Sequence, residues 1–306
     1  MPVEIIFEDS KSTVKDAVTA MEKLTTVDGV KAILSQQSSI VVALSPIANG
    51  KKALLMDTGS TTPAYASPDD FTFRVSYNAA YFAKEIADLL NKRGVKSFAG
   101  LYVNNDYGLA MMNAYKEYFN GAIVAEESFG EEETDFRTQI QKIKEAKPAA
   151  VVYASNPTQA GIILKQKKEQ GLESTFYTDI YSIEYPDVLE IAGNAAEGVI
   201  YVAQYYDTNR TEQVFKEFNE KFVERYGEIS DPLAAQAYDG LLILAFAMNQ
   251  CQNPDDTECL KEKLFSIKDF QGVIGPITFD NFGEVKERPT ALKTVKNGEF
   301  VKYEGG

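Results

Sequence analysis

Short apolar segments of strand character alternate with amphipathic segments of helical character from end to end of this chain. That alternation restricts it to folds in which parallel strands are joined by helical crossovers, with helices covering both faces of the sheet. "VEIIFED" reads as a strand and "TVKDAVTAMEKLTTV" as the helix after it. "VKAILSQ" is followed by the helical "SIVVALSPIANGK", and "ALLMDTG" and "FTFRVSY" come in quick succession. In "YFAKEIADLLNKRG", Phe82, Ile86, Leu89 and Leu90 share one helical face and a glycine stands at the end. The same grammar restarts with "FAGLYVNND" and runs through "AIVAEESF", "AAVVYAS", "STFYTD" and "GVIYVAQYY", each followed or preceded by a helix. Two such runs predict two doubly wound lobes. After Tyr206 the order changes to helices: "TEQVFKEFNEKFVERYG" is expected to bury Val214, Phe215, Phe218, Phe222 and Val223, and "PLAAQAYDGLLILAFAMNQ" is apolar nearly all round. The C-terminal part predicts short strands with turns at Asn281-Phe282-Gly283 and Asn297-Gly298. No flexible Gly/Ser linker occurs, so ordinary strand-to-strand crossings must join the lobes.

Composition removes most other classes. The chain has 306 residues, 44% of them apolar and 25% charged, which suits two globular domains. Lys and Arg total 31 against 45 Asp and Glu, and a net charge of −14 would repel nucleic acid and anionic membranes. Histidine is absent, which excludes Ser-His-Asp and Cys-His nucleophiles, imidazole-ligated zinc and the HExxH motif. No apolar run reaches the ~18 residues that span a bilayer, so direct membrane insertion is not expected. The first residues lack the basic start and apolar stretch of a signal peptide, so any export signal is expected to have been removed or to lie outside this sequence. Cys251 and Cys259 flank a turn-forming Asn-Pro-Asp-Asp. A local disulfide fits that spacing, two reduced surface thiols being the alternative, and two cysteines without histidine make a poor metal site.

"LLMDTGS" raises one enzymatic possibility, because two apolar residues before Asp57-Thr58-Gly59-Ser60 resemble the active-site loop of aspartic proteases. Those enzymes are nearly all β, and the pepsin-like ones bring two such loops together so that two carboxylates share a proton. This chain is α/β, and the nearest second candidate, "YDG" at Tyr238 to Gly240, lies in a helical pattern. Asp57 is therefore read as a solvated or hydrogen-bonded carboxylate at a strand end.

The ordered set "ILSQQSSIVVALSPIA", "LLMDTGSTTP", "YVNNDYGLAMMNAYKEYF", "TDFRTQIQKIKEAKPAAVVYAS", "LKQKKEQGL", "YPDVLEIAGNAAEGV", "AAQAYDGLLILAFAM" and "GVIGPITFD" resembles, over the whole chain, the type I periplasmic solute-binding proteins of ABC importers, in their leucine/isoleucine/valine-binding branch. The resemblance implies an α/β fold of two doubly wound parallel-sheet lobes joined by a three-crossing hinge. Residues 1–77 and 206–289 would form lobe 1, and residues 78–205 and 290–306 lobe 2. The crossings would fall near Ser76 to Asn78, Gln204 to Asp207 and Arg288 to Ala291. In doubly wound sheets ligands bind beyond the carboxyl ends of the strands, where hydroxyls and helix N-termini can meet an anion. By the resemblance, Ser38, Gly59 and Thr61 would supply donors to a ligand α-carboxylate, Tyr107 would cover the ligand, and Asp179 would pair with its α-ammonium. Ser38, Gly59, Thr61 and Asp179 also read as helix-cap positions and Tyr107 as a core aromatic.

Two departures from the family pattern stand out. Asn156, in "ASNPTQ", falls where branched-chain binders commonly place a tyrosine, which points to a more polar or smaller ligand side chain. Family members also open with a strand, a glycine-containing ligand loop and a long helix ahead of the segment matching "VEIIFEDSK", and that strand and helix of lobe 1 are missing from this sequence. Lobe 1 is then expected to be the less stable one, or its sheet edge to recruit a second chain. The implied function is that of a non-enzymatic, periplasmic or otherwise extracytoplasmic receptor, lipid-anchored in some precursors, with no cofactor or metal. It would close on an amino acid or similar zwitterion and deliver it to an ABC permease. A ligand-sensing domain of a receptor or regulator is the alternative. In this scheme Asp57 points away from the ligand, and replacing it should cost little affinity.

Overall fold

The computed structural model describes residues 3–206, 208, 210–286 and 288–305. Residues 3–10 have no regular secondary structure. The first helix, α1 (Val14–Thr26), is capped by the Thr13 hydroxyl, which accepts from the Asp16 amide, and it buries Ala17, Met21 and Leu24 along one face. Then come β1 (Ala32–Ser35), α2 (Ser38–Lys51), β2 (Leu54–Asp57) and β3 (Thr72–Arg74). The next run is α3 (Ala79–Lys92), β4 (Ser97–Val103), α4 (Asp106–Tyr118), β5 (Ala122–Phe129), α5 (Arg137–Ala146), β6 (Ala150–Ala154), α6 (Pro157–Glu169), β7 (Thr175–Asp179), α7 (Ile180–Ile183), α8 (Pro186–Ala192) and β8 (Ile200–Gln204). Three helices follow, α9 (Gln213–Tyr226), α10 (Pro232–Gln250) and α11 (Thr257–Ser266), then β9 (Phe270–Gln271), β10 (Pro276–Ile277), β11 (Thr290–Lys296) and β12 (Glu299–Lys302).

The chain divides into two compact units, Met1–Tyr77 with Tyr205–Arg288, and Asn78–Gln204 with Pro289–Gly306. Asp207, at the far end of one expected crossing, lies outside the described residues. In the first unit β1, β2 and β3 form a parallel sheet in that order. Its middle strand is apolar on both faces for a visible reason. Leu54 and Met56 pack with Ile243, Leu244, Leu260 and Leu264 of α10 and α11, while Leu55 packs with Ala17, Met21, Ile40 and Leu44 of α1 and α2. Cys251 and Cys259 are joined in a disulfide that ties the end of α10 to α11.

The second unit holds a seven-stranded sheet ordered β12-β11-β8-β7-β6-β4-β5. Strands β4 to β8 are parallel, and β11 and β12 run antiparallel at one edge. The hairpin between them closes on Asn297 and Gly298, both at positive φ, as a two-residue turn between right-twisted strands requires. From β4 the chain steps outward to β5 and then returns across β4 to β6, so the winding direction reverses between β4 and β6. Crevices at such reversals lie at the carboxyl ends of the strands.

Two expectations need correction. "VEIIFED" is not a strand: β1 has β2 as its one neighbour in the sheet among the described residues, and residues 3–9 pair with neither it nor any other described strand. A strand is held by hydrogen bonds to its neighbours, and without them its apolar residues stay exposed, Phe7 at 87%. In α9 only Phe215 and Phe218 are fully buried, and Val223 is exposed. Val223 stands past the edge of the stripe made by Phe215, Phe218 and Phe222, which pack with Ala235.

Candidate functional site

The candidate residues fall into two groups, one in each unit. In the first unit they sit where β1 gives way to α2 and where β2 gives way to residues 58–62. Gln37 enters α2 at φ 72° and makes no side-chain cap, and the first turn holds no acidic residue. The first amides of a 14-residue helix are thus left without an intrahelical acceptor. Ser38 is buried, and its Oγ accepts two long hydrogen bonds, from Thr61 N (3.3 Å) and Thr62 N (3.4 Å). Those bonds stitch the two loops together and occupy the lone pairs, so the hydroxyl proton remains to be donated. Thr61 is buried too, and its Oγ1 has no partner among the described residues. Buried hydroxyls are rarely left so unless a ligand or water completes them.

Asp57 governs the shape of this loop. Fully buried, it accepts from Gly59 N (3.0 Å), Ser60 N (2.8 Å), the Ser60 hydroxyl and Tyr65 Oη (2.5 Å), and it faces Arg74 Nε at 3.3 Å. Arg74 also donates to the Thr62 carbonyl and to Tyr65 Oη, and pairs with Glu284. Gln236 Nε2 holds the Thr58 carbonyl at 2.5 Å and Ser76 Oγ the Ser60 carbonyl at 2.9 Å. Of the two readings of Asp57, the hydrogen-bonded one is the structure's, and nothing of a solvated carboxylate remains.

This arrangement corrects the role expected for Gly59. Its N–H is directed at Asp57 and is not free for a carboxylate, so the backbone group it has left is a carbonyl, which suits a cation. A side chain at this position would also crowd Gln36, whose Cβ would lie 3.0 Å from the added carbon. The Asp57 expectation changes as well, since removing that carboxylate would release the loop that presents Thr61.

In the second unit the carboxyl ends of β4, β6 and β7 deliver Tyr107, Ser155 with Asn156, and Asp179. Asn105 caps α4 by accepting from Tyr107 N and Gly108 N, which fixes Tyr107 in the first turn. Gly108 is needed there because a Cβ would lie 1.9 Å from the Val103 carbonyl oxygen. Tyr107 Oη donates to Asp179 Oδ2 at 2.7 Å and lies 2.8 Å from Ser182 Oγ, which itself accepts from Ser155 N at 3.1 Å. With the tyrosine proton on the carboxylate, Ser182 must donate to the tyrosine, and the chain of bonds has one direction. Burial, and next the Asp179 charge, push the Tyr107 phenol well above its ordinary value and keep it a donor.

Asp179 is 0% exposed. It caps α7 by accepting from Tyr181 N at 2.8 Å, so the cap role exists and coexists with the bond to Tyr107. No ion pair among the described residues involves it. Burial pushes its carboxyl up to about 6, against the lowering effect of the Tyr107 and backbone hydrogen bonds. Ser155 Oγ, Tyr115 Oη and Tyr153 Oη are buried without hydrogen-bond partners among the described residues, and both tyrosines feel the Asp179 charge. Asn156 is exposed, and its Oδ1 caps α6 through Gln159 N at 2.9 Å, which leaves only its amide nitrogen for another role.

The structure thus brings Ser38 to Thr61 and Tyr107 to Asp179, and ties Gly59 and Asn156 to their own loops. Sequence reasoning missed Ser155 and Ser182. Ser155 was legible only as a hydroxyl at the end of an apolar strand, and nothing near Ser182 marks it. Among the described residues no group of His, Cys, Asp and Glu is placed to hold a metal ion, and no helix is long and apolar enough to cross a membrane.

Parallel sheets in two units, with polar groups gathered at the carboxyl ends of their strands, are the architecture of type I periplasmic binding proteins. Leucine binding protein LivK of Thermotoga maritima has the same fold, with a TM-score of 0.89 at 24% identity over 96% of this chain and 85% of that one. The branched-chain amino acid transporter substrate binding protein LivJ of Streptococcus pneumoniae, solved with isoleucine, has a TM-score of 0.85 at 22% identity over 97% of this chain and 85% of that one. The Leu/Ile/Val-binding protein homolog 2 of Brucella abortus is 25% identical over 98% of this chain and 81% of its own length. A family model described as periplasmic binding protein matches residues 1–299, and the chain belongs to that family.

Proposed function

We propose that this protein is an extracytoplasmic receptor that captures an amino acid and hands it to an ABC permease. The observation that carries the reading is Asp179, a carboxylate with no exposure to water and no ion-pair partner among the described residues. A buried anion is tolerable when a counter-charge arrives with the ligand, and an α-ammonium is a cation of the right size for a carboxylate already oriented by Tyr107 and the Tyr181 amide. The α-carboxylate would go to the uncapped amides of α2, the Ser38 hydroxyl and Thr61 Oγ1. Because the two charges of the ligand are met by different units, ligand favours the state in which both units engage it, and its differential affinity drives closure. Names of relatives support an amino-acid ligand, and membership of the family supports the permease.

The test is a thermal-shift and calorimetric screen of the twenty amino acids, their amides and simple carboxylates on the wild type and on Asp179→Ala. An amino acid should bind, and Asp179→Ala should weaken it by about 2–5 kcal/mol, the scale of stranding a buried charge. Unchanged affinity in the variant, or a response confined to sugars and other uncharged solutes, would overturn the reading.

A further inference from the structure

Arg288 is the least satisfied charge in the first unit. It is 6% exposed, and its Nε, Nη1 and Nη2 all lack a hydrogen-bond partner among the described residues. Its guanidinium carbon lies 5.7 Å from the centre of the buried Tyr77 ring. The unit's other well-buried arginines behave differently. Arg74 is engaged by Asp57, Glu284, Tyr65 and the Thr62 carbonyl, and Arg210 by Glu212 and the Val273 carbonyl. The charge of Arg288 acts on Asp239, but both oxygens of that carboxylate are already occupied, by Val273 N at 2.5 Å and Ile274 N at 3.0 Å. Gly272 allows that approach, since a Cβ there would lie 2.7 Å from Asp239 Oδ2. Asp239 therefore offsets part of the charge without filling the fork of donors.

Arg288 is linked to the residues proposed for the α-carboxylate through two neighbours in its own unit, Tyr77 and Asp239. Tyr77 follows Ser76, whose hydroxyl holds the Ser60 carbonyl, and Asp239 lies one helical turn from Gln236, whose amide holds the Thr58 carbonyl. A buried guanidinium with a free planar fork is matched by a carboxylate, which it can bind through two parallel hydrogen bonds. The α-carboxylate of the ligand already has neutral donors at Ser38, Thr61 and the α2 amides.

We propose that Arg288 receives a second carboxylate of the same solute, so that the ligand class is the dicarboxylic amino acids rather than the branched-chain ones. This deepens the proposed function and rests on its placement of the α-carboxylate. Asn156, a polar residue where branched-chain binders commonly carry tyrosine, is in keeping with a polar side chain on the ligand.

The test is calorimetric titration of the full chain with L-glutamate, L-aspartate, L-glutamine, L-leucine, glutarate and sodium phosphate, repeated on Arg288→Gln and Arg288→Lys. The wild type should bind glutamate or aspartate at least about 30-fold more tightly than glutamine or leucine, and Arg288→Gln should erase that preference while leaving the neutral amino acids within a few-fold. Arg288→Lys, which keeps the charge and loses the fork, should fall between the two. The wild-type preference decides the matter even if a variant does not fold. Leucine or glutamine bound as tightly as glutamate would overturn the proposal while leaving the amino-acid reading intact. Glutarate bound through Arg288 with no amino acid bound would keep the anion subsite and remove the amino-acid reading. Failure of every dicarboxylate at millimolar concentration, or binding of phosphate alone, would overturn the subsite.

Discussion

Replacing Asp57 by alanine is the most direct challenge to the account of the hydroxyl loop. The change deletes the acceptor for the amides of Gly59 and Ser60, for the Ser60 hydroxyl and for Tyr65, and removes the carboxylate 3.3 Å from Arg74 Nε. Arg74 is 1% exposed and keeps Glu284 at 3.3 Å and the Thr62 carbonyl, so its charge is only partly stranded. Breaking a buried pair from one side costs about 3–5 kcal/mol, and amides left without acceptors fall within that range if water reaches them. For a unit of this size that amounts to a drop of roughly 6–20 °C in the unfolding midpoint of the first unit. Differential scanning calorimetry gives the midpoint, and amide exchange at Gly59 and Ser60 gives the local cause. The double variant Asp57→Ala/Arg74→Met, which removes both charges, should recover part of the loss. Amino-acid affinity should fall too, because Thr61 is presented by the loop that Asp57 shapes. A midpoint within about 2 °C of wild type with unchanged exchange at those amides would refute the reasoning.

Other outcomes follow from the same geometry. Ligand affinity should weaken as pH falls below about 6, where Asp179 takes up a proton and can no longer pair with an ammonium; calorimetry from pH 5 to 8 checks this. Without ligand the sign is opposite: Asp179 and Asp239 are both held near 6, above the usual carboxylate value, so the folded state binds more protons than the unfolded chain between about pH 4 and 6. Their contribution to stability should therefore decline as pH rises through that window, and a melting series at several pH values would expose an error in sign. Gly108→Ala should destabilise the second unit by about 1–3 kcal/mol by forcing α4 away from the Val103 carbonyl, read by denaturant midpoint. Reducing the Cys251–Cys259 disulfide should lower the first unit's stability by roughly 2–3 kcal/mol on chain-entropy grounds, and equal midpoints with and without reductant would contradict it. Amides of β1, which among the described residues pairs only with β2, should exchange faster than those of β6, which lies between β4 and β7.

Much of the architecture was legible because it rests on local rules. The 3.6-residue periodicity of α3, the capping residue Asp179 and the Asn297-Gly298 turn each fix their element from a few neighbouring residues. What depends on distant partners was not legible. "VEIIFED" has the pattern of a strand, yet a pattern cannot say whether a neighbour exists to pair with it. Asp57 resembled a catalytic acid because its local sequence carries no trace of Arg74, Tyr65 or Glu284, which convert it into a structural anchor. The bonds joining Ser155, Ser182 and Tyr107 likewise connect three separate strand ends, and neither serine stands out in its own stretch.

The candidate residues of each unit are groups that spend one valence on the fold and hold another in reserve. Ser38 accepts two amides and retains a proton, Thr61 donates its amide and retains a hydroxyl, and Asp179 accepts one amide and one phenol and retains its charge. The structural bond removes the rotational freedom that a ligand would otherwise have to quench, so the remaining valence meets the ligand already oriented. The same economy explains why capping and binding could not be separated from sequence: a residue that caps a helix at the carboxyl end of a strand is, by position, aimed at the crevice. Asp57 shows the limit of the rule. All of its acceptor capacity is consumed by its own loop and by Arg74, so it shapes the site without belonging to it, whereas Arg288, which has spent none of its donors, is the residue through which the site can still extend.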